Sequence, residues 1–401
     1  MRRTALWLVG GLATLGLAGA SYSAQAADND IVIGFAIAQS GWMTQYDGPD
    51  SKGALLAIDD INAKGGVLGR KLRAVFADTK SDQTEGAKAG QSVLAQGAQF
   101  MVVSCDYDMG AGAATVGNDA KIPTFSLCAS DAKMGVQGIG PYAFSMNDSS
   151  VTIGATMGHW AATKKGWKKA YVLHDDTIEY SKGICSGFKS YFQKDGGTIV
   201  GDDVFKQDDA SIASQITRLK DVTAKTPVDF IEICSYGGGD VSAVKQIRAA
   251  GIMTPITNPD SMDGDDWTKA IPNLNDHYAT VQASLFGDDP RPFVNEYFKR
   301  LEKVTGQKPT SSLALAGYSV IEAFALAINR AGVTDGDKVL AELNKFKDEP
   351  LAVGPTSYTA DLHISLTRPY TIVGIKDGKG YFVDIVGLPD PPPMQLIFKG
   401  Q

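Results

Sequence analysis

Short apolar runs alternate with amphipathic stretches along most of the chain. The first run, residues 31–36, is continuously hydrophobic, which is typical of a strand buried on both faces of a sheet. Residues 51–64 then carry apolar side chains at helical spacing, and Gly65 and Gly66 end that helix. Strand-like and helix-like runs continue to alternate as far as residue 127, with one predicted helix over 112–120. This βαβ rhythm predicts a doubly wound parallel sheet.

The same rhythm starts again near residue 152 and predicts a second α/β unit. Two units agree with the length, because 401 residues exceed one ordinary domain. Helices in this half are predicted to begin at residues 152, 182, 212 and 241. Beyond residue 278 the pattern predicts a returning strand, helices over 291–305, 314–331 and 337–345, and a final hairpin over 370–386. The proline-rich run that follows predicts an extended surface tail over residues 389–401.

The first 26 residues predict a cleaved secretory signal peptide. Two arginines follow Met1, residues 5–20 are uncharged and largely apolar, and Ala24-Gln25-Ala26 provides small residues at a cleavage site. A membrane anchor is the alternative, but the run is glycine-rich and short for a span. We therefore expect export to the periplasm, which is an oxidising compartment.

Composition narrows the range of functions. The formal net charge of −7 argues against partners such as nucleic acid or an anionic membrane surface. The four histidines are scattered without metal-ligand spacing, and neither a nucleophile elbow nor a P-loop occurs. The glycine-rich stretch 110–115 lacks the third glycine of a dinucleotide fingerprint. We therefore predict no metal, no cofactor and no catalytic residues.

Several segments resemble one family. Residues 38–41, Gln45-Tyr46 and 58–72 (Ile-Asp-Asp-Ile-Asn-Ala-Lys-Gly-Gly-Val-Leu-Gly-Arg-Lys-Leu) are similar to periplasmic binding proteins for branched-chain amino acids, which serve ABC transporters. Supporting stretches follow in the same order at 122–126, 174–180, 249–252 and 316–318. The resemblance covers roughly residues 30–388.

The resemblance implies a type I periplasmic binding protein. In this fold two α/β lobes, joined by a three-stranded hinge, close on a small ligand. It predicts one lobe from residues 27–146 plus 281–354 and a second from 147–280 plus 355–388. A monomer that passes its solute to a membrane ABC permease is expected. The alternatives are an exported sensor or adaptor of the same fold, a binder of a non-amino-acid solute, and an exported hydrolase.

Ligands of open α/β sheets sit beyond the carboxyl ends of the strands. The residues predicted there to bind ligand are Trp42, Tyr46, Tyr107, Cys128, Ala129, Ser130, Tyr180, Tyr236, Gly237 and Asp260. The resemblance implies that Asp260 accepts from an α-amino group and that the tyrosines form an aromatic wall. Ser130 has a hydroxyl suited to a carboxylate.

Alternatives stay open at several of these positions. Asp260 and Ser130 are both suited to capping a helix, Trp42 to packing within its own loop, and Gly237 competes with Tyr236 for one wall position. The family usually has small hydroxyl residues after the third strand, whereas this chain has Asp106-Tyr107-Asp108. We expect solvated loop acids there, and this departure keeps an amide, an amine or a cation among the candidate ligands.

The four cysteines allow three pairings. Cys105 and Cys128 follow strands expected to be neighbours, while Cys185 and Cys234 fall in the same predicted lobe. We hypothesise the disulfides Cys105–Cys128 and Cys185–Cys234, the alternative being four buried free thiols.

Overall fold

Two large sheets organise the chain. The computed structural model describes residues 29–398, so the predicted signal peptide lies outside the described residues. One sheet has five strands and the other seven, as the repeated βαβ rhythm predicts. We call the body built on the five-stranded sheet the first lobe and the body built on the seven-stranded sheet the second lobe.

The first lobe begins with five parallel strands in the order β2-β1-β3-β4-β5. Every residue of β1 is buried, which explains its unbroken apolar sequence. The strands are β1 (Ile31–Ile37), β2 (Leu72–Asp78), β3 (Phe100–Val103), β4 (Thr124–Ser126) and β5 (Ala143–Ser145). The helices between them are α1 (Thr44–Ala63), α2 (Gln83–Ala95) and α3 (Tyr107–Asp119).

The second lobe repeats this pattern with five parallel strands in the order β10-β9-β8-β6-β7. These strands are β6 (Lys169–Asp175), β7 (Thr198–Phe205), β8 (Phe230–Cys234), β9 (Ile256–Asn258) and β10 (His277–Val281). The helices that precede or connect them are α4 (Ser150–Thr163), α5 (Glu179–Lys194), α6 (Ala213–Lys225) and α7 (Gly237–Ala249).

After β10 the chain returns to the first lobe and then crosses back. The returning elements are α8 (Pro292–Thr305), α9 (Ala314–Ala331), α10 (Gly336–Leu343) and the small hairpin β11 (Glu349–Leu351) with β12 (Gly354–Thr356). The predicted final hairpin, β13 (Tyr370–Lys376) with β14 (Lys379–Val386), then extends the second sheet antiparallel to β10. The second sheet is therefore mixed rather than wholly parallel.

Three chain segments connect the lobes, and they lie side by side. The Ser145 amide donates to the His363 carbonyl at 2.9 Å, and the Ser149 amide donates to the Ser365 carbonyl at 3.1 Å. The Gln282 side chain, just after β10, donates to Asn147 at 3.0 Å. These bonds tie the segments after β5, after β10 and before β13 into one pivot.

The hydrophobic cores follow the lobes. One large core combines residues before position 147 with residues 283–358, and separate cores lie in the second lobe. Tyr358, four residues beyond the predicted end of the first lobe, packs its ring 5.2 Å from that of Phe144. The exact lobe boundaries stay a prediction.

Several helices begin earlier than the apolar pattern predicts. α1 begins at Thr44 rather than 51, α3 at Tyr107 rather than 112, and α7 at Gly237 rather than 241. Gly237, Gly238 and Gly239 thus form the first turn of α7. These first turns are polar or glycine-rich, so they lack the apolar spacing that indicates a helix.

The end of the described chain also differs from the prediction. The proline run leads into one short helical turn, α11 (Met394–Ile397), rather than remaining extended. The Tyr191 hydroxyl of α5 donates to the Asp390 carbonyl at 2.9 Å, which holds the run against the second lobe. Within residues 29–398 no helix combines the length and hydropathy needed to cross a membrane.

Candidate ligand-binding site

A cavity lies where the carboxyl ends of the two sheets face each other. The space between its lining atoms is about 380 Å³, a volume that includes open solvent at its mouth. Seven of the ten residues predicted to bind ligand line it, namely Trp42, Tyr46, Cys128, Ser130, Tyr180, Tyr236 and Asp260. Strand ends of both lobes therefore meet here, as expected for α/β sheets.

Three predicted residues do not line this cavity, although Gly237 lines an adjoining one together with Tyr46 and Asp260. Tyr107 begins α3, and its ring lies 5.7 Å from Lys133 Nζ rather than in the cavity. Ala129 is buried in the core that covers the face of the first sheet opposite to the large core. Gly237 begins α7 with a φ of +53°, where a side chain would be strained and would meet Gln45. Of the competing pair, Tyr236 is the residue that lines the cavity.

Aromatic rings form the walls. Trp42, which follows β1, and Tyr236, which follows β8, approach across the cleft with ring centroids 5.6 Å apart. Trp42 therefore contacts the opposite lobe rather than packing within its own loop. The Tyr46 hydroxyl is buried and has no hydrogen-bond partner among the described residues. The walls are thus contributed by both lobes.

Asp260 is 3% exposed and is held by hydrogen bonds from its own lobe and from the pivot. Tyr180 Oη donates to Oδ1 at 2.5 Å, and Asn147 Nδ2 donates to Oδ2 at 3.1 Å. Its side chain does not cap the short helix that it begins. Burial raises the pKa of this carboxyl above its usual range, while the bonds from Tyr180 and Asn147 oppose the rise.

Asn147 lines the cavity, although no motif or predicted strand end in the sequence indicated it. It lies in the pivot between β5 and α4, and its Nδ2 donates to Ser130 Oγ at 2.9 Å and to the Cys128 carbonyl at 3.1 Å. Its Oδ1 accepts from Tyr370 Oη at 2.6 Å as well as from Gln282. One amide therefore joins the cavity floor to all three connecting segments.

Asp106 corrects the expectation of solvated loop acids after β3. It is 6% exposed, lines the cavity and caps α3, accepting from the Met109 amide at 3.1 Å. Burial, followed by the nearby Asp108, raises the pKa of Asp106 to about 8. Asp108 is half-buried, and its carboxylate accepts from the Glu179 amide at 3.3 Å. Both acids are thus structured parts of the cleft.

The remaining lining residues were not among the ten predicted to bind ligand. They share no motif, and several are apolar residues that a sequence cannot distinguish from ordinary core. They are Met43, Cys105, Ile178, Ser261 and Leu313, in addition to Asp106 and Asn147. Only the position after a strand end could have suggested Met43, Cys105, Ile178 and Ser261; nothing suggested Leu313, at the start of α9.

The structure bonds Cys105 to Cys128 and Cys185 to Cys234. The first disulfide lines the cavity, and the second lies in a core of the second lobe. Asp50 lies within 4.8 Å of Cys105 and Cys128, but cysteines bonded to each other offer no thiolate for a metal. The cavity disulfide instead links the chain beside Asp106 to the chain beside Ser130.

Removing the cavity disulfide should weaken solute binding more than removing the other. In a Cys105→Ser/Cys128→Ser variant, Asp106 and Ser130 lose the link between their loops, so we expect at least a ten-fold loss of affinity by calorimetry. The matched control is Cys185→Ser/Cys234→Ser, which should lower the melting temperature but keep affinity within three-fold. Equal affinity in both variants would show that the cavity disulfide does not position the site.

Comparisons with known proteins agree with this architecture. A model of the periplasmic binding protein family matches residues 30–379. The Leu/Ile/Val-binding protein homolog 3 of Brucella melitensis is 24% identical over 382 residues, which cover 94% of this chain and 96% of the relative.

Two solved structures show the same fold. The branched-chain amino acid transporter substrate binding protein LivJ from Streptococcus pneumoniae, in complex with isoleucine, has a TM-score of 0.78 and 24% identity, covering 90% of this chain and 100% of its own. A solute binding protein of an ABC transporter from Rhodopseudomonas palustris, in complex with 3,4-dihydroxy benzoic acid, has a TM-score of 0.75 and 20% identity, covering 90% and 97%. The predicted type I fold is confirmed. Since the family model spans most of the described residues, the chain belongs to the periplasmic binding protein family.

Proposed function

We propose that this protein captures a small solute between its lobes and delivers it to an ABC importer. The solute carries an ammonium group, as amino acids and related compounds do. The observation that carries this proposal is Asp260, a buried carboxylate that lines a cavity between two lobes. The similarity to proteins named for binding Leu, Ile and Val supports the amino-acid class.

Each lobe contributes part of the proposed binding chemistry. Asp260 accepts hydrogen bonds from the ammonium group, and a charge-assisted bond of this kind is among the stronger ones in proteins. Tyr46, Tyr180, Tyr236 and Trp42 enclose the rest of the solute. Ser130 and Asn147 complete the polar side of the cavity.

Contacts across the cleft support closure as the signal that the importer recognises. Lys133 of the first lobe pairs with Glu179 of the second at 2.7 Å, and Trp42 meets Tyr236. A solute that touches both lobes favours this closed arrangement over an open one. Release to the permease then requires only that the lobes separate.

We also propose that the solute is bound without chemical change. Among the described residues that line the cavity there is no histidine or lysine to act as a base toward Ser130. The Ser130 hydroxyl already accepts a hydrogen bond from the Asn147 amide.

The predicted signal peptide supports a periplasmic location for the protein. We also propose that a monomer is sufficient for binding, because one chain supplies both lobes.

A thermal-shift screen tests the proposed function. The mature chain is unfolded with its disulfides intact to release any bound solute, refolded, and mixed with amino acids, amines, amides and aromatic acids. A ligand at 100 times its Kd stabilises the native state by roughly 2.7 kcal/mol, so at least one class should raise the melting temperature by several degrees. The bound solute should be recovered unaltered by mass spectrometry. Refolded protein that no member stabilises, or that converts the solute, would contradict the proposal.

A further inference from the structure

Two buried carboxylates face the same small cavity from opposite lobes. Asp106 follows β3 in the first lobe, and Asp260 follows β9 in the second. Only one hydrogen bond reaches the Asp106 carboxylate from the described residues, at Oδ1 from Met109, so its second oxygen is unpaired. Asp50 is fully buried, and neither of its oxygens has a hydrogen-bond partner among the described residues; it lies within 4.8 Å of the cavity disulfide but does not line the cavity. Its pKa is raised by burial, by Asp47 and by Asp260.

Among the described residues, no positive side chain lines this cavity, and Lys52 lines an adjoining one that Asp260 also reaches. None of the described lining residues is a lysine, an arginine or a histidine. Lys133 in the first lobe pairs with Glu179, which also takes Lys182 at 2.9 Å. Arg368, in the pivot, pairs with Asp148 at 3.3 Å. A carboxylate solute would therefore enter a buried cavity whose described lining residues offer it no counter-charge, which is costly.

The walls suit a cation. Trp, Tyr and Phe rings attract ammonium groups to their faces, by roughly 0.5–2 kcal/mol for each favourable contact. Four such rings line this cavity, and one of their hydroxyls, that of Tyr180, already donates to Asp260. The unpaired Tyr46 hydroxyl accepts a hydrogen bond from an ammonium group as readily as it donates one.

We infer that the cavity selects a small organic amine, a cation without a carboxylate, over the amino acid with the same side chain. This inference rests on the proposed function, since it concerns the same cavity. In an amine complex, Asp260 and the free oxygen of Asp106 accept from the ammonium group and the aromatic rings enclose the carbon chain. An ammonium group beside Asp106 favours the ionised form of that carboxyl, and a carboxylate on the same solute would then bring a like charge near it.

Matched probes test this preference. One set is 3-methylbutylamine, leucine and 4-methylpentanoate, and a second is phenethylamine, phenylalanine and 3-phenylpropanoate. Within each set the carbon chain is nearly constant and only the charged groups change. By calorimetry on the refolded mature chain, we expect one of the amines to bind at least ten-fold tighter than its amino acid. The acids should give no binding heat.

Variants assign the preference to Asp106. Asp106→Asn should weaken amine binding at least ten-fold and reduce the preference over the amino acid. Asp119→Asn, a change of the same charge at the exposed end of α3, is the control and should alter neither. Circular dichroism and the melting temperature show that both variants fold.

The outcomes separate the inference from the proposed function. Tighter binding of leucine or phenylalanine than of the amine, or a preference unchanged in Asp106→Asn, would overturn the inference and leave solute binding standing. If all six probes fail, the solute identified in the thermal-shift screen decides: a cation without a carboxylate supports the inference, and any other solute overturns it. Failure of the whole screen would overturn the proposed function itself.

Discussion

Asp260→Asn is expected to weaken solute binding by roughly two to three orders of magnitude while the protein stays folded. Truncating one partner of a buried charged pair costs roughly 2–5 kcal/mol. Asparagine has nearly the same size as aspartate but carries no charge. Its NH₂ group would replace one acceptor oxygen and would face a donor, either Tyr180 Oη or Asn147 Nδ2. Calorimetry with the tightest solute from the thermal-shift screen measures the loss.

The control for this variant is Asp221→Asn, an exposed acid on α6 in the same lobe. It changes the net charge equally and should keep affinity within three-fold of the parent. An Asp260→Asn protein that melts cooperatively and still binds within three-fold would show that Asp260 is not the acceptor for the solute.

Arg368→Met is expected to lower the free energy of unfolding by roughly 3–5 kcal/mol, because it leaves a buried carboxylate without its counter-charge. Asp148 is fully buried, and Arg368 reaches it with its guanidinium at 3.3 Å and with its backbone amide at 3.0 Å. Arg368 also donates to the Met146 carbonyl at 3.1 Å and so joins two of the connecting segments. Urea unfolding followed by circular dichroism measures the change.

Two further variants make this result specific. Lys345→Met removes an exposed pair with Glu342 and should change stability by roughly 0–1 kcal/mol. Adding Asp148→Asn to Arg368→Met removes the orphaned charge and should recover part of the loss. A loss below about 1 kcal/mol for Arg368→Met, or no recovery in the double variant, would mean that the pair does not stabilise the pivot.

The repeated βαβ architecture was predictable because buried parallel strands leave a strong local signal. β1 is apolar at every position except Gly34, and the returning helix α9 was predicted with its observed bounds. Helix starts were less predictable. α7 begins on three glycines, and its first turn is held by the distant Gln207, whose side chain donates to the Tyr236 carbonyl and accepts from the Gly239 amide.

The candidate site was predictable where strand ends mark it. Tyr46, Tyr180 and Asp260 could be chosen because each follows a strand, and the resemblance narrowed the choice. Asp106 was misjudged because a polar residue in a predicted loop gives no sign of burial, which the packing of both lobes decides. Asn147 carries no motif, since its partners Gln282 and Tyr370 lie more than a hundred residues away.

The arrangement around Asn147 has a mechanical consequence. Its two amide hydrogens serve three acceptors, Asp260, Ser130 and the Cys128 carbonyl, so they cannot satisfy all of them fully at once. A solute that donates hydrogen bonds to Asp260 removes one of these acceptors. The Asn147 amide hydrogens can then bond fully to Ser130 and to the Cys128 carbonyl of the first lobe. The oxygen of the same side chain accepts hydrogen bonds from Gln282 and Tyr370. Occupation of the cavity is therefore coupled to the rigidity of the segments about which the lobes rotate.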